Sequence, residues 1–116
     1  MPSDNRMRKI GEEILRELSR LVSALKDPRV GGLVSLTHVD VTNDLAYARV
    51  FVSVLDSTAD AGVVMEGLES ASGYLRRELA HAMSLRHTPL LRFVADDSMI
   101  RGARILDLLS REEREG

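Results

Sequence analysis

The sequence predicts an α+β fold, a small three-stranded sheet with helices packed over one face. Two periodicities point to it. Apolar residues recur every three or four positions over residues 7–25 and again over about 59–83, whereas residues 46–54 alternate strictly. The segments run α-β-β-α-α-β-α. A hairpin is therefore followed by a helical stretch long enough to carry a third strand across the sheet. At 116 residues the chain reads as one domain, over residues 1–110, with a charged and frayed tail at 111–116.

The first helix has Ser3 and Asp4 as candidate caps. Met7, Ile10, Ile14, Leu18, Leu21 and Leu25 form its apolar stripe. Asp27-Pro28 is the stop, because a residue before proline avoids the helical region. Gly31-Gly32 then releases the chain into "LVSLTHVDV", whose β-branched residues predict a strand. "TNDL" is the turn, with Asn43 and Asp44 the residues most at ease in it. In "AYARVFVSVL", Ala46, Ala48, Val50, Val52 and Val54 face one way and Tyr47, Arg49, Phe51 and Ser53 the other. The first set is expected to pack under the helices. "DSTADAG" connects to a helix from about residue 59, which continues to about Met83. "SLRHTP" breaks the pattern, and "LLRFVAD" is the third strand with Pro89 at its entry. A closing helix capped by Asp97 or Ser98 ends in the charged tail.

Composition narrows the function classes. The absence of cysteine excludes a disulfide framework and thiolate chemistry. No run of about 18 apolar residues is present, so a cytoplasmic chain without membrane association is expected. His38, His81 and His87 lack metal-ligand spacing, and no phosphate-binding Gly-Lys-Ser/Thr loop occurs. Asp96-Asp97 reads as the approach to a helix cap. Neither an enzyme nor a cofactor is expected. The net charge of −2 conceals alternation along the chain. Residues 31–70 carry one Lys/Arg against six Asp/Glu, and residues 71–104 carry six against three. A basic surface is thus expected beside an acidic one.

The stretch "ESASGYLRREL" stands out. Leu68, Ala71, Leu75 and Leu79 keep a helical stripe, yet Gly73 interrupts it, at a cost of about 0.5–1 kcal/mol relative to alanine. The apolar phase continues through the glycine, so the helix is expected to bend there without stopping. Small side chains at Ala71 and Gly73 would admit another backbone. Arg76 and Arg77 would then open the helix that restarts, against its dipole, where an anion reverses the sign. A solvated helix face, with Glu69 or Glu78 as ion-pair partner, reads equally well locally. Arg6, Arg8 and Lys9 form a second basic cluster, with solvation and RNA contact again equal readings. Arg86, with His87, lies within reach of the bend, whereas Arg101 and Arg104 read at least as well as capping or paired residues.

"KDPRV" at 26–30, "VDVTNDLAYARVFVSV" at 39–54, "ASGYLRREL" at 71–79 and "LRHTPLLRFVADDS" at 85–98, in this order and spacing, resemble the ribosome-binding factor A family. The likeness covers residues 6–109. It implies a type II KH-like fold, α-β-β-α-kink-α-β, with a C-terminal helix. KH domains commonly clamp nucleic acid with a Gly-x-x-Gly loop; the family has Ala-x-Gly there, which is Ala71-Ser72-Gly73 in this chain. The resemblance implies a monomeric assembly factor that binds the immature 30S subunit and 16S rRNA, promotes rRNA end processing and serves cold adaptation. RNA contact is expected at Ala71, Ser72, Gly73, Arg76 and Arg77, with Arg86, Arg6, Arg8 and Lys9 as further candidates. A ribosomal protein or an assembly GTPase is a further expected partner. The alternative is a protein-interaction module that uses the acidic 31–70 surface or a sheet edge.

Overall fold

A computed structural model of the chain describes residues 4–31, 34–55, 60–85 and 87–96. In order these form α1 (Asp4–Ser23), a 3-10 turn (Pro28–Val30), β1 (Val34–Val41), β2 (Tyr47–Val54), α2 (Ala61–Ala82) and β3 (Leu90–Ala95). The expected closing helix and tail lie outside the described residues, as do Ser3, Arg86, Arg101 and Arg104.

The sheet order is β1-β2-β3. β1 and β2 pair antiparallel through the hairpin, and β2 and β3 pair parallel, with Val50 opposite Phe93. Parallel neighbours need a long crossover, and α2 supplies it. Both helices lie on one face, α1 against β1 and α2 against β3. Ile14 and Leu18 of α1, Val64, Leu68, Leu75 and Leu79 of α2, and Ala48, Val50 and Val52 of β2 are all almost fully buried. The expected inner face of β2 is the observed one. A register shift between Leu36 and His38 keeps Leu36 and Val39 both inward by letting Thr37 bulge.

Local endings differ from expectation where hydrogen bonds outrank propensity. α1 ends at Ser23, before Asp27-Pro28, because Ala24 and Leu25 bond to the carbonyls of Leu21 and Val22 and tighten the final turn. Asp27 instead caps the 3-10 turn. Its carboxylate accepts from the Arg29 backbone N–H at 2.9 Å and from the Arg29 guanidinium at 2.7 Å. The guanidinium bonds, and then the N–H, hold the Asp27 carboxyl below the usual carboxylate range. In the hairpin the left-handed residue is Leu45, φ 60°, in place of Asn43 or Asp44. Asp44 braces that turn, accepting from the Ala46 N–H at 3.0 Å and the Thr42 hydroxyl at 2.8 Å, and both lower its pKa. Asp60 caps α2 through the N–H groups of Gly62 and Val63.

Candidate nucleic-acid interface

α2 is one helix through residues 71–77, with no loop inserted at Gly73. The Ser72 hydroxyl donates to the Glu69 carbonyl at 2.8 Å, a back-bond of the kind that often bends helices. The buried stripe of Leu68, Leu75 and Leu79 passes beside the glycine without including it. Gly73 is exposed, and a Cβ added there would meet no described residue within 4 Å. Among the described residues, no backbone makes the close approach expected at Gly73.

Two other glycines take that part. A Cβ on Gly11 would lie 2.7 Å from the Val39 carbonyl oxygen, where α1 crosses β1. One on Gly67 would lie 2.7 Å from Val30 Cγ2 and 3.0 Å from Arg29 Cβ, where α2 crosses the 3-10 turn. Sequence reasoning passed over both. The signal was available, since each is a glycine inside a regular apolar stripe.

Arg76 and Arg77 sit well inside α2, so the expected conflict with a helix N-terminus does not arise. With no restart at Gly73 there are no free N–H groups beside them. The two arginines also differ. Arg76 reaches to the segment before β3, its Nε and Nη2 donating to the Thr88 carbonyl at 3.1 and 2.8 Å. It thereby ties α2 to the entry of β3, beside buried Pro89. Arg77 is exposed and has no hydrogen-bond or ion-pair partner among the described residues. Ala71 and Ser72 are half-buried on the same helix.

Arg6, Arg8 and Lys9 are exposed near the start of α1. Arg8 lines a groove of about 320 Å³ between α1 and β1, with Glu12, His38, Asp40 and Asn43. α1 borders β1 and α2 borders β3 on the same face of the sheet, so the two basic groups stand on helices over its opposite edges. The described acids of residues 31–70 stand on different elements, and Asp56 lies outside the described residues. Asp44 and Asp60 serve a turn and a cap, Asp40 pairs with His38, and Glu66 and Glu69 lie on α2. Among the described residues, no group of three His, Cys, Asp or Glu side chains converges to hold a metal. Among them, too, no helix is long and apolar enough to cross a membrane.

Comparison with known proteins bears on this arrangement. The family model described as ribosome-binding factor A matches residues 6–109. A ribosome-binding factor A from a Cyanothece species is 45% identical over 119 residues, covering 99% of this chain and 89% of the relative. The crystal structure of ribosome-binding factor A from Thermus thermophilus superposes with a TM-score of 0.70 at 24% identity, covering 77% of this chain and 94% of the other. Coordinates for the same Thermus factor, fitted into a cryo-EM map of its complex with 30S, superpose with a TM-score of 0.65 at 23% identity. They cover 78% of this chain and 96% of that one.

Proposed function

The chain belongs to the ribosome-binding factor A family, and from that we propose that it is a non-enzymatic assembly factor of the small ribosomal subunit. It binds the immature 30S particle in the cytoplasm, contacts 16S rRNA through the α2 surface at residues 71–77, and favours late maturation with processing of the rRNA ends. It works as a monomer without a cofactor. Binding of this kind shifts an equilibrium between rRNA arrangements only by the difference in affinity for the two.

The observation that carries the α2 contact is Gly73. A glycine in a helix interior destabilises by about 0.5–1 kcal/mol relative to alanine. At Gly11 and Gly67 the chain's own atoms fill the space. At Gly73 none of the described residues does. The open space lies on the same helix as Arg77, which has no partner among the described residues, and a phosphate backbone fits a surface with close access and a cation.

Gly73→Leu tests this, since leucine favours the helix and extends into open solvent. The variant is expected to be at least as stable as wild type in urea denaturation, and to co-sediment more weakly with immature small subunits. Unchanged binding would overturn the α2 contact. The arginines separate in the same assay. Arg77→Ala is expected to leave stability unchanged and to reduce the slope of log affinity against log salt by about 0.7–0.9, one phosphate contact. Arg76→Ala removes both bonds to the Thr88 carbonyl, and about 1 kcal/mol of stability with them. Arg6, Arg8 and Lys9 are proposed as a second contact region, and a triple alanine variant reads its share by the same slope.

A further inference from the structure

We propose that the open face of the sheet, opposite the helices, is a second RNA-binding surface that takes an unpaired strand. Its bases stack on Tyr47 and Phe51, and its phosphates meet Arg49 and Arg92. This rests on the reading that the chain works on rRNA, and it adds a surface on the far side of the molecule from α2.

The chain has only two Tyr and two Phe. In so aromatic-poor a protein the core would be the expected place for all four, yet only Phe93 is buried there. Tyr47, 42% exposed, and the half-buried Phe51 both stand on the outward face of β2. They are four residues apart, about 13 Å along a strand. Every base has a π-face, so exposed aromatics on a sheet accept unpaired nucleotides without regard to sequence.

The arginines supply the second observation. Arg49 and Arg92 are direct partners in the β2–β3 register and both are exposed. Like charges directly opposite on neighbouring strands destabilise a sheet. Among the described residues Arg92 has no acidic partner, and its guanidinium lies 5.5 Å from the Tyr47 ring centroid. Arg49 lies 5.9 Å from the Phe51 ring and reaches Asp40 only at 3.5 Å. Asp40 itself bonds His38 at 2.7 Å, and Asp96, past the end of β3, is bonded by the Thr37 hydroxyl. The carboxylates nearby are thus engaged, while two cations stand together. An anion between Arg49 and Arg92 relieves their repulsion. A nucleic-acid strand brings that anion together with the bases that the rings accept, a pairing that an acidic peptide does not offer.

The test uses the full chain and a short single-stranded oligouridylate, read by fluorescence anisotropy at several salt concentrations. Wild type is expected to bind it, and to bind its duplex with oligoadenylate more weakly. Tyr47→Leu is expected to lose about tenfold in affinity, and Tyr47→Phe to retain it, because the ring does the stacking. Arg49→Gln with Arg92→Gln is expected to lower the salt slope by about 0.7 for each phosphate contact. None of the three variants is expected to melt below wild type, since these side chains stand outside the core, and the double arginine variant is expected to melt somewhat higher because it removes the repulsion. Open-face variants that bind the oligonucleotide like wild type overturn the inference, as does wild type that fails to bind it. If those variants instead lose affinity for an isolated ribosomal protein, the face docks protein and the inference falls. The α2 reading is decided separately by Gly73→Leu on whole small subunits, so either can fail alone.

Discussion

Val52→Asp is expected to abolish folding at neutral pH. Val52 is 1% exposed on the central strand, paired to Leu36 on one side and to Ala95 on the other. It belongs to the continuous aliphatic core with Val50, Leu68 and Leu75. An ionised carboxylate there has no cation within the core, and its burial costs several kcal/mol beyond the lost valine contacts. A domain of this size is stable by only about 5–15 kcal/mol. Far-UV circular dichroism and a urea titration at pH 7 should show an unfolded chain. Val52→Ala should remain folded while losing about 2–3 kcal/mol, by transfer and cavity terms alone. Val94→Asp places the same charge on the exposed outer face and should fold normally. A native spectrum for Val52→Asp would mean that the faces of β2 are reversed.

Gly11→Val is expected to cost about 3 kcal/mol. A Cβ at Gly11 meets the Val39 carbonyl oxygen at 2.7 Å. That atom belongs to a strand paired with β2, so it has no rotamer to move into. Relief requires α1 to lift off β1, which opens the packing of Ile14 and Leu18 beneath it. Gly11→Ala makes the comparison sharp. On helix propensity alone it would gain about 0.5–1 kcal/mol, and with the collision it is expected to lose stability instead. Gly73→Ala, with nothing within 4 Å of its added carbon, should show the gain. Urea midpoints for the two alanine variants should therefore move in opposite directions from wild type. A Gly11→Ala variant as stable as wild type would show that α1 rides higher over β1 than the structure has it.

The glycines also mark where sequence reasoning stopped. Element order, strand faces and the buried stripes of α1 and α2 were legible because side-chain periodicity is a local property of each backbone type. Val50 and Val52 point inward, and Tyr47 and Arg49 outward, as alternation requires. The order of motifs carried the family resemblance, and with it the fold. The last residue of α1 was not legible, because 3-10-type bonds at Ala24 and Leu25 ended the helix before the proline acted.

The candidate site was legible as a list of residues and not as an arrangement. Residues 71–77 were expected on a helix that bends at Gly73 and restarts, which placed a helix N-terminus beside Arg76 where the hydrogen-bonded helix has none. The grip of Arg76 on the Thr88 carbonyl joins positions twelve apart across a chain reversal, a contact that no local pattern encodes. Likewise, the placing of Arg6, Arg8 and Lys9 over one sheet edge and of Arg76 and Arg77 over the other follows from the packing of α1 on β1 and of α2 on β3. The amino-acid order determined the two amphipathic helices and three strands found among the described residues, and which family the chain belongs to. Tertiary packing alone decided which glycine is crowded, which arginine is occupied, and which cations face each other across a register. Those outcomes depend on what the fold brings from elsewhere in the chain to within a few ångströms of each side chain.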